Sequence, residues 1–336
     1  MVLRVDGEKA GEGAGIMSIE LDMSRLLGAS ERIDPVFLRT PLRQSAGLDR
    51  ELGCRLALKV ESLTPIHSFK GRGAELFAAT MLQPGDVLVC ASAGNFGQGL
   101  AWAARRRGYR CVVFTSLHAN PLKIAAMRGF GAEVRQAGAD FDAAKLAARN
   151  YAAATGARFV EDGAEPTIAE GAGTIGLEIA AAVPDLQAIV VPLGNGALLA
   201  GIGAAMRHLL PAVEVIGVVA DRAASMKLSI EAGRPIETAS ADTIADGIAC
   251  RVPVPAALAM LQGRLDRVLT VSEDDLRRAM ALAYQHLDLA IEPAGIAGLA
   301  AIQAQGSIFA GRRVATVLCG GNLTTELRDW LVNTNA

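Results

Sequence analysis

Short unbroken apolar runs alternate along the chain with longer Ala-rich stretches. RLALKVE (55–61) predicts a strand, GAELFAATML (73–82) a helix and DVLVCAS (86–92) a strand. GQGLAWAARRRG (97–108), PLKIAAMRGFG (121–131) and FDAAKLAARNYAAATG (141–156) predict helices, with strands at RCVVFTS (110–116) and AEVRQAG (132–138) between them. Further strands are expected at LQAIVVPLG (186–194), VEVIGVVAD (213–221), RVLTVSE (267–273) and RVATVLCGG (313–321). Continuously apolar strands separated by helices belong to parallel sheets covered on both faces. The pattern predicts an α/β fold of two interleaved open, mostly parallel twisted sheets with helices on both faces. No repeat or linker divides the chain, so residues 85–160 are expected to form a small inserted α/β domain within a large one made of 31–84 and 161–336.

Composition narrows the class. The 336 residues are 51% hydrophobic and 20% charged, enough for a sizeable core and against disorder. With 33 basic and 35 acidic residues the net charge is -2, and no basic run of nucleic-acid type occurs; ARRRG (104–108) reads as a helix C-terminus. Apolar stretches are broken short of a membrane span. Cys54, Cys90, Cys111, Cys250 and Cys319 show no C-x-x-C spacing, which argues against a thiolate metal site or disulfides and for a reducing, cytoplasmic compartment. The Gly- and charge-rich start predicts a partly disordered leader over 1–30, with Met17 a second possible start.

The chemistry gathers at four places. Lys70 follows Ser68 and Phe69 and precedes Gly71, Arg72 and Gly73. Held in a pocket it is an amine nucleophile; on the surface it is an ordinary charge. In open parallel sheets ligands sit beyond the carboxyl ends of strands, and three loops fall there. In ASAGNFGQG (91–99), Ser92, Gly94 and Asn95 open a helix whose free N–H groups suit a carboxylate, although a plain helix cap uses the same residues. In PLGNGALLAG (192–201), Gly194, Asn195 and Gly196 let backbone amides approach a phosphate, although a plain tight turn between strand and helix uses the same glycines. Gly194, Gly196 and Gly201 also imitate a dinucleotide turn, with Asp221 at the end of the next strand, but the third glycine is displaced. In VLCGGN (317–322), Cys319 stands at the ligand edge or packs as a small hydrophobe.

The order Ser68-Phe69-Lys70-x-Arg72-Gly73, Ser92-x-Gly94-Asn95, Gly194-x-Gly196, Ala245-Asp246-Gly247, Glu292-Pro293-x-Gly295 and Cys319-Gly320-Gly321-Asn322 resembles the fold-type II pyridoxal-phosphate enzymes. Within them it is most similar to the threonine/serine dehydratase and serine racemase branch, from about Ile33 to Asn322. The resemblance implies a tryptophan synthase β-like fold, with pyridoxal 5'-phosphate bound in the large domain. It implies that Lys70 holds the cofactor as a Schiff base and later removes the Cα proton, that Phe69 packs near the pyridine ring, and that Asn95 bonds the ring hydroxyl. It further implies that Ser92, Gly94 and Asn95 hold the substrate carboxylate, and that Gly194, Asn195, Gly196, Ala197 and Leu198 cradle the phosphate. Cys319 would face the pyridine nitrogen, with Gly247 and Glu292 lining the pocket. A homodimer or larger assembly is also implied.

Several positions depart from that pattern. His67 replaces a glycine before Ser-Phe-Lys, as a structural residue or a group at the pocket edge. Phe96 replaces a histidine, pointing to a larger or more apolar substrate region or to core packing. Ala93 stands where racemases have a serine, which removes the second acid/base of two-face proton exchange. VVADRAAS (218–225) lacks the Glu-Pro of metal-binding members, leaving Asp221 as the candidate for a cation. The expected function is therefore an ammonia-lyase that eliminates water from a threonine- or serine-like β-hydroxy-α-amino acid, with a bulkier β-substituent allowed. The chain ends soon after Cys319-Gly320-Gly321-Asn322, which points away from a feedback-controlled enzyme. Rival readings are another pyridoxal-phosphate β-elimination or β-replacement enzyme, an amino-acid racemase, a nicotinamide-dependent oxidoreductase, and a non-catalytic amino-acid-binding protein.

Overall fold

The computed structural model describes residues 18–334. Its strands are β1 (Leu42–Arg43), β2 (Arg55–Val60), β3 (Val87–Ala91), β4 (Arg110–Thr115), β5 (Glu133–Gln136), β6 (Arg158–Phe159), β7 (Ala188–Pro192), β8 (Glu214–Ala220), β9 (Arg267–Val271) and β10 (Arg313–Leu318). Its helices are α1 (Met23–Leu27), α2 (Ala46–Leu52), α3 (Lys70–Met81), α4 (Asn95–Arg107), α5 (Pro121–Gly129), α6 (Phe141–Thr155), α7 (Pro166–Ala182) and α8 (Ala197–Leu209). They continue as α9 (Ser225–Ala232), α10 (Pro255–Leu261), α11 (Glu273–Leu287), α12 (Pro293–Ala304), α13 (Gly306–Phe309) and α14 (Thr325–Thr334).

The strands form two sheets, one ordered β1-β2-β10-β7-β8-β9 and the other β5-β4-β3-β6. Every pairing is parallel except that of the short edge strand β1 with β2. β7 is buried at every position and β2 at all but its first, because helices cover both faces of the large sheet. The four-stranded sheet draws on residues 87–159 alone. Helices α7 and α8 approach closely over glycines: a Cβ on Gly201 would lie 1.9 Å from the Ala169 carbonyl oxygen, and one on Gly173 2.8 Å from that of Gly201.

Order begins earlier than the expected leader boundary at residue 30. Asp22 caps α1, Leu26 is fully buried, Arg25 Nη2 donates to Glu170 on α7 at 3.0 Å, and the Ile19 N–H donates to the Ala259 carbonyl at 3.1 Å. Residues 1–17, Met17 among them, lie outside the described residues. Helix α3 starts at Lys70, three residues before the expected helix, and runs through Gly71 and Gly73. Both glycines face packed neighbours that a Cβ would strike, at 2.2 Å on the Phe37 ring and 2.6 Å on the Ile168 carbonyl. Among the described residues no helix is long and apolar enough to cross a membrane.

Candidate active site

Parallel strands aim their carboxyl ends at one crevice, and the candidate residues arrive there from separate strands. Beyond β2 the chain turns through 61–69 into α3 and delivers Lys70 at its first position. This turn is tied to the end of β10: the Phe69 N–H donates to the Cys319 carbonyl at 3.1 Å, and Ser68 bridges Gly320. β3 leads into Ser92–Gly94 and α4, and β7 leads into Gly194–Gly196 and α8. One pocket is lined by Phe69, Lys70, Asn95, Gly194, Asn195, Gly196, Ala197, Leu198, Gly247, Glu292 and Cys319 together with Pro192, Ile248, Ala294 and Gly295. A roomier cleft of about 210 Å³ lies elsewhere, against Ser229, Leu258, Leu261 and Asp266. It is lined by no lysine, cysteine or histidine, and the Asp266 carboxylate is already held by Arg207 and the Val215 N–H.

Lys70 Nζ lies 2.5 Å from Asp162 Oδ2, 4.7 Å from the centre of the Phe69 ring and 5.8 Å from that of Phe96. Asn95 Nδ2 donates to Glu292 Oε1 at 2.6 Å, and Asn95 Oδ1 accepts from Asn322 Nδ2 at 2.8 Å. Glu292 Oε2 is buried with no hydrogen-bond partner. Burial, with the negative charge of Asp246 adding to it, pushes the Glu292 carboxyl up to about 7, against the pull of Lys123 and Asn95. Burial likewise pushes the Cys319 thiol well above the ordinary thiol range, so it is neutral.

Two helix starts face the crevice. α8 begins after Gly196, whose φ of +87° suits glycine, and no side chain caps its first N–H groups. A Cβ on Gly194 would lie 2.9 Å from the Gly247 carbonyl, so this turn and the 247 segment are in contact. Cys250 Sγ donates to Asn195 Oδ1 at 3.5 Å and buttresses the turn from behind. At α4 the Ser92 hydroxyl accepts the N–H groups of Gly94 at 3.1 Å and Gly97 at 2.9 Å, so Ser92 shapes the loop as a cap while the N–H groups of Asn95 and Phe96 stay at the open helix end. Lys123, buried on α5, packs its stem against Gly94 and pairs with Asp246.

Some expected residues fall elsewhere. His67 is exposed, holds φ of +51°, and its Nδ1 lies 3.2 Å from the Ser62 carbonyl; it does not line the pocket. Phe96 is buried in the core while still facing Lys70. Asp221 is exposed after β8, and no group of three or more metal-ligating side chains occurs among the described residues. Asp162, Lys123 and Cys250 were not singled out from the sequence. None of them carries a local sign: β6, which precedes Asp162, has only two residues, both half-buried.

The family model for pyridoxal-phosphate dependent enzymes matches residues 33–320. A putative threonine dehydratase of Sinorhizobium fredii is 34% identical over 318 residues, covering 93% of this chain and 96% of the relative. The L-threonine ammonia-lyase of Thermotoga maritima is 34% identical over 307 residues, 91% of this chain and 76% of that protein. Among solved structures, a threonine deaminase from T.th. superposes with a TM-score of 0.85 at 35% identity, over 90% of this chain and 98% of that one. Maize serine racemase gives 0.85 at 25% identity, over 94% and 97%.

Proposed function

The chain belongs to the pyridoxal-phosphate dependent enzymes, and from that premise we propose that it is an ammonia-lyase acting on a threonine- or serine-like β-hydroxy-α-amino acid. Membership in this family overturns the nicotinamide reading of the Gly194 turn. The site's residues fit the cofactor. The uncapped start of α8 suits a phosphate, Lys70 opens onto the same pocket, and Glu292 Oε2 is a buried polar atom in want of a partner. Gly194, Asn195, Gly196, Ala197 and Leu198 would hold the phosphate, Lys70 the aldehyde carbon, Asn95 and Glu292 the ring's polar edge, and Cys319 its nitrogen. When bound, pyridoxal phosphate accepts the electron pair left on Cα.

The chain's own groups do the rest. The open N–H groups at α4, with the positive charge of Lys123 behind Gly94, orient the substrate carboxylate. Lys70 Nζ takes the Cα proton. The β-hydroxyl leaves with the C–O electron pair and is protonated to water. The enamine that departs takes up water and yields a 2-oxo acid and ammonia. Placed at the ring nitrogen, the neutral Cys319 thiol would leave that nitrogen without a full proton, which would favour expulsion at Cβ. Racemisation needs a second proton donor on the opposite face, and Ala93 has no hydroxyl to give.

The observation that carries the reading is Lys70 in one pocket with the Gly194 turn and Asn95, in a chain a third identical to threonine ammonia-lyases. The same reading takes the enzyme as a cytosolic homo-oligomer; its five cysteines are free and buried, as a reducing compartment leaves them. An ammonia-release screen over serine, threonine and bulkier β-hydroxy amino acids, with spectra recorded alongside, tests the function. Lys70→Ala is expected to lose both the yellow band near about 410–420 nm and turnover; retained turnover overturns the mechanism.

A further inference from the structure

Asp162 stands beyond the carboxyl end of β6, on the loop into α7. Its Oδ2 accepts from Lys70 Nζ at 2.5 Å, while its Oδ1 is buried with no hydrogen-bond partner. Lys70 is its only ion-pair partner among the described residues. The other carboxylates nearby are already engaged: Asp246 with Lys123, Glu292 with Asn95, and Glu161 with Lys145 at 3.2 Å and Arg149 at 2.6 Å. Nor can Asp162 easily swing away. Gly163 has φ of +87° and lies so close to the Gly194 turn that a Cβ would meet the Asn195 carbonyl oxygen at 2.4 Å, which fixes the loop against that turn.

Asp162, Phe69 and Phe96 together form a cage for a cation: one carboxylate and two aromatic faces around a single ammonium. In this structure Lys70 occupies it. The next step rests on the reading that Lys70 is the amine that serves the cofactor and the Cα proton. While Lys70 is so committed, Asp162 is left with its charge mostly out of water and no cation, an unfavourable state unless another positive group arrives. A substrate whose Cα lies within reach of Lys70 Nζ brings its γ-carbon into the same neighbourhood. A γ-methyl offers Asp162 nothing, whereas a γ-ammonium restores the pair.

We infer that Asp162 selects a β-hydroxy-α-amino acid carrying a second ammonium group on its γ-carbon. The smallest such compound is 4-aminothreonine (2,4-diamino-3-hydroxybutanoate), which differs from threonine by that one group. The reaction is unchanged in kind. The Cα proton goes to Lys70, the β-hydroxyl leaves as water with the C–O electron pair, and one water is taken up again. The products are 4-amino-2-oxobutanoate and ammonia, with no net oxidation.

Binding and turnover test this separately. Calorimetric titration of the cofactor-loaded protein with 2,4-diaminobutanoate and 2-aminobutanoate, neither of which has a β leaving group, reads Asp162 without chemistry. The diamino acid is expected to bind about tenfold to a hundredfold tighter, the ratio of one charge-assisted hydrogen bond. Asp162→Asn is expected to abolish the difference, and Asp162→Glu to keep part of it. Circular dichroism and the cofactor band check that each variant is folded and loaded. In the turnover arm, kcat/KM for 4-aminothreonine exceeds that for threonine by a similar factor in the wild type only. Equal binding of the two ligands by the wild type, or a preference that survives in Asp162→Asn, overturns the inference. If neither hydroxy amino acid is turned over by loaded enzyme, the lyase reading fails, and the binding arm still decides the role of Asp162.

Discussion

Arg72 and Glu61 form a fully buried, two-pronged ion pair beneath the first turn of the helix that carries Lys70. Arg72 Nε donates to Glu61 Oε2 at 2.9 Å and Nη2 to Oε1 at 2.8 Å. Nη1 reaches Glu178 at 2.6 Å and Thr174 at 3.0 Å, and Lys59 pairs with the same Glu178 at 2.5 Å. Glu61 follows β2 directly and Glu178 lies on α7, so the guanidinium fixes α3, and with it Lys70, against both.

A planar fork is needed for this geometry, and lysine cannot supply it. Arg72→Met leaves Glu61 buried with Thr40 as its remaining hydrogen-bonding side chain, and is expected to cost about 3–5 kcal/mol, the usual penalty for removing one partner of a buried pair. Arg72→Lys recovers only part of that. Urea unfolding of the three proteins measures it, and a loss under about 1 kcal/mol in Arg72→Met would show that the network does not hold the helix start.

Glu292 sets a pH dependence of stability with a definite sign. Its carboxyl in the folded protein titrates at about 7, above the value of about 4.3 for an unfolded glutamate. Below about pH 4.3 both states keep the proton. Between that value and about 7 the unfolded chain sheds it while the folded chain holds it, so this group's contribution to stability falls as pH rises, and it levels off above about 7. Wild type minus Glu292→Gln, compared by urea midpoints from about pH 5 to 8, is expected to decline across that window. Asp246→Asn removes a raising charge and releases Lys123, so the decline should move to lower pH. A difference that rises with pH contradicts the assignment.

The glycine at position 194 is required by contact rather than by φ. A side chain there meets the Gly247 carbonyl oxygen at 2.9 Å and Ile248 Cα at 3.2 Å, so Gly194→Ala must push the turn or the 247 segment out of place. Weaker cofactor retention on dialysis, about tenfold or more, with little change in the unfolding midpoint of the cofactor-free protein, is the expected pattern. Undiminished retention would remove this turn from the phosphate site.

Much of this architecture is legible in the sequence because its strands are long and apolar on both faces. β1 and β6 are not: each has two residues, and Arg158 and Phe159 of β6 are half-buried. The start of α3 was hidden for a different reason. Gly71 and Gly73 look locally like helix breakers, and only their contacts with Phe37 and Ile168 explain why the helix runs through them. Spacing within loops located Lys70, Asn95, the Gly194 turn and Cys319, because each motif is contiguous. Asp162 and Lys123 act through partners distant in sequence, which no local pattern reveals; Arg72 is legible as a motif position, but its pairing with Glu61 and Glu178 is not. His67 shows the reverse: a departure within a motif, it falls on the solvent side at φ of +51°, a conformation glycine adopts freely and histidine only at some cost.

Cys319 tests how the site chooses elimination. The thiol is buried, and it donates weakly to the Val317 carbonyl at 3.4 Å; burial keeps it un-ionised. Cys319→Ser keeps a small neutral group and is expected to remain a lyase, within about tenfold of wild type in kcat/KM, a difference of about 1.4 kcal/mol. On the proposed placement of Cys319 at the ring nitrogen, Cys319→Asp would put there an acid able to hold a proton on it, so that the Cα electron pair would spread into the ring instead of expelling the β-hydroxyl. Ammonia release should then fall, and amino-group transfer to the cofactor should appear as loss of the yellow band during turnover. If Cys319→Asp eliminates as well as wild type and shows no transfer, the neutral partner is not what directs the reaction, and the preference must lie in the substrate's β-substituent and the groups that face it.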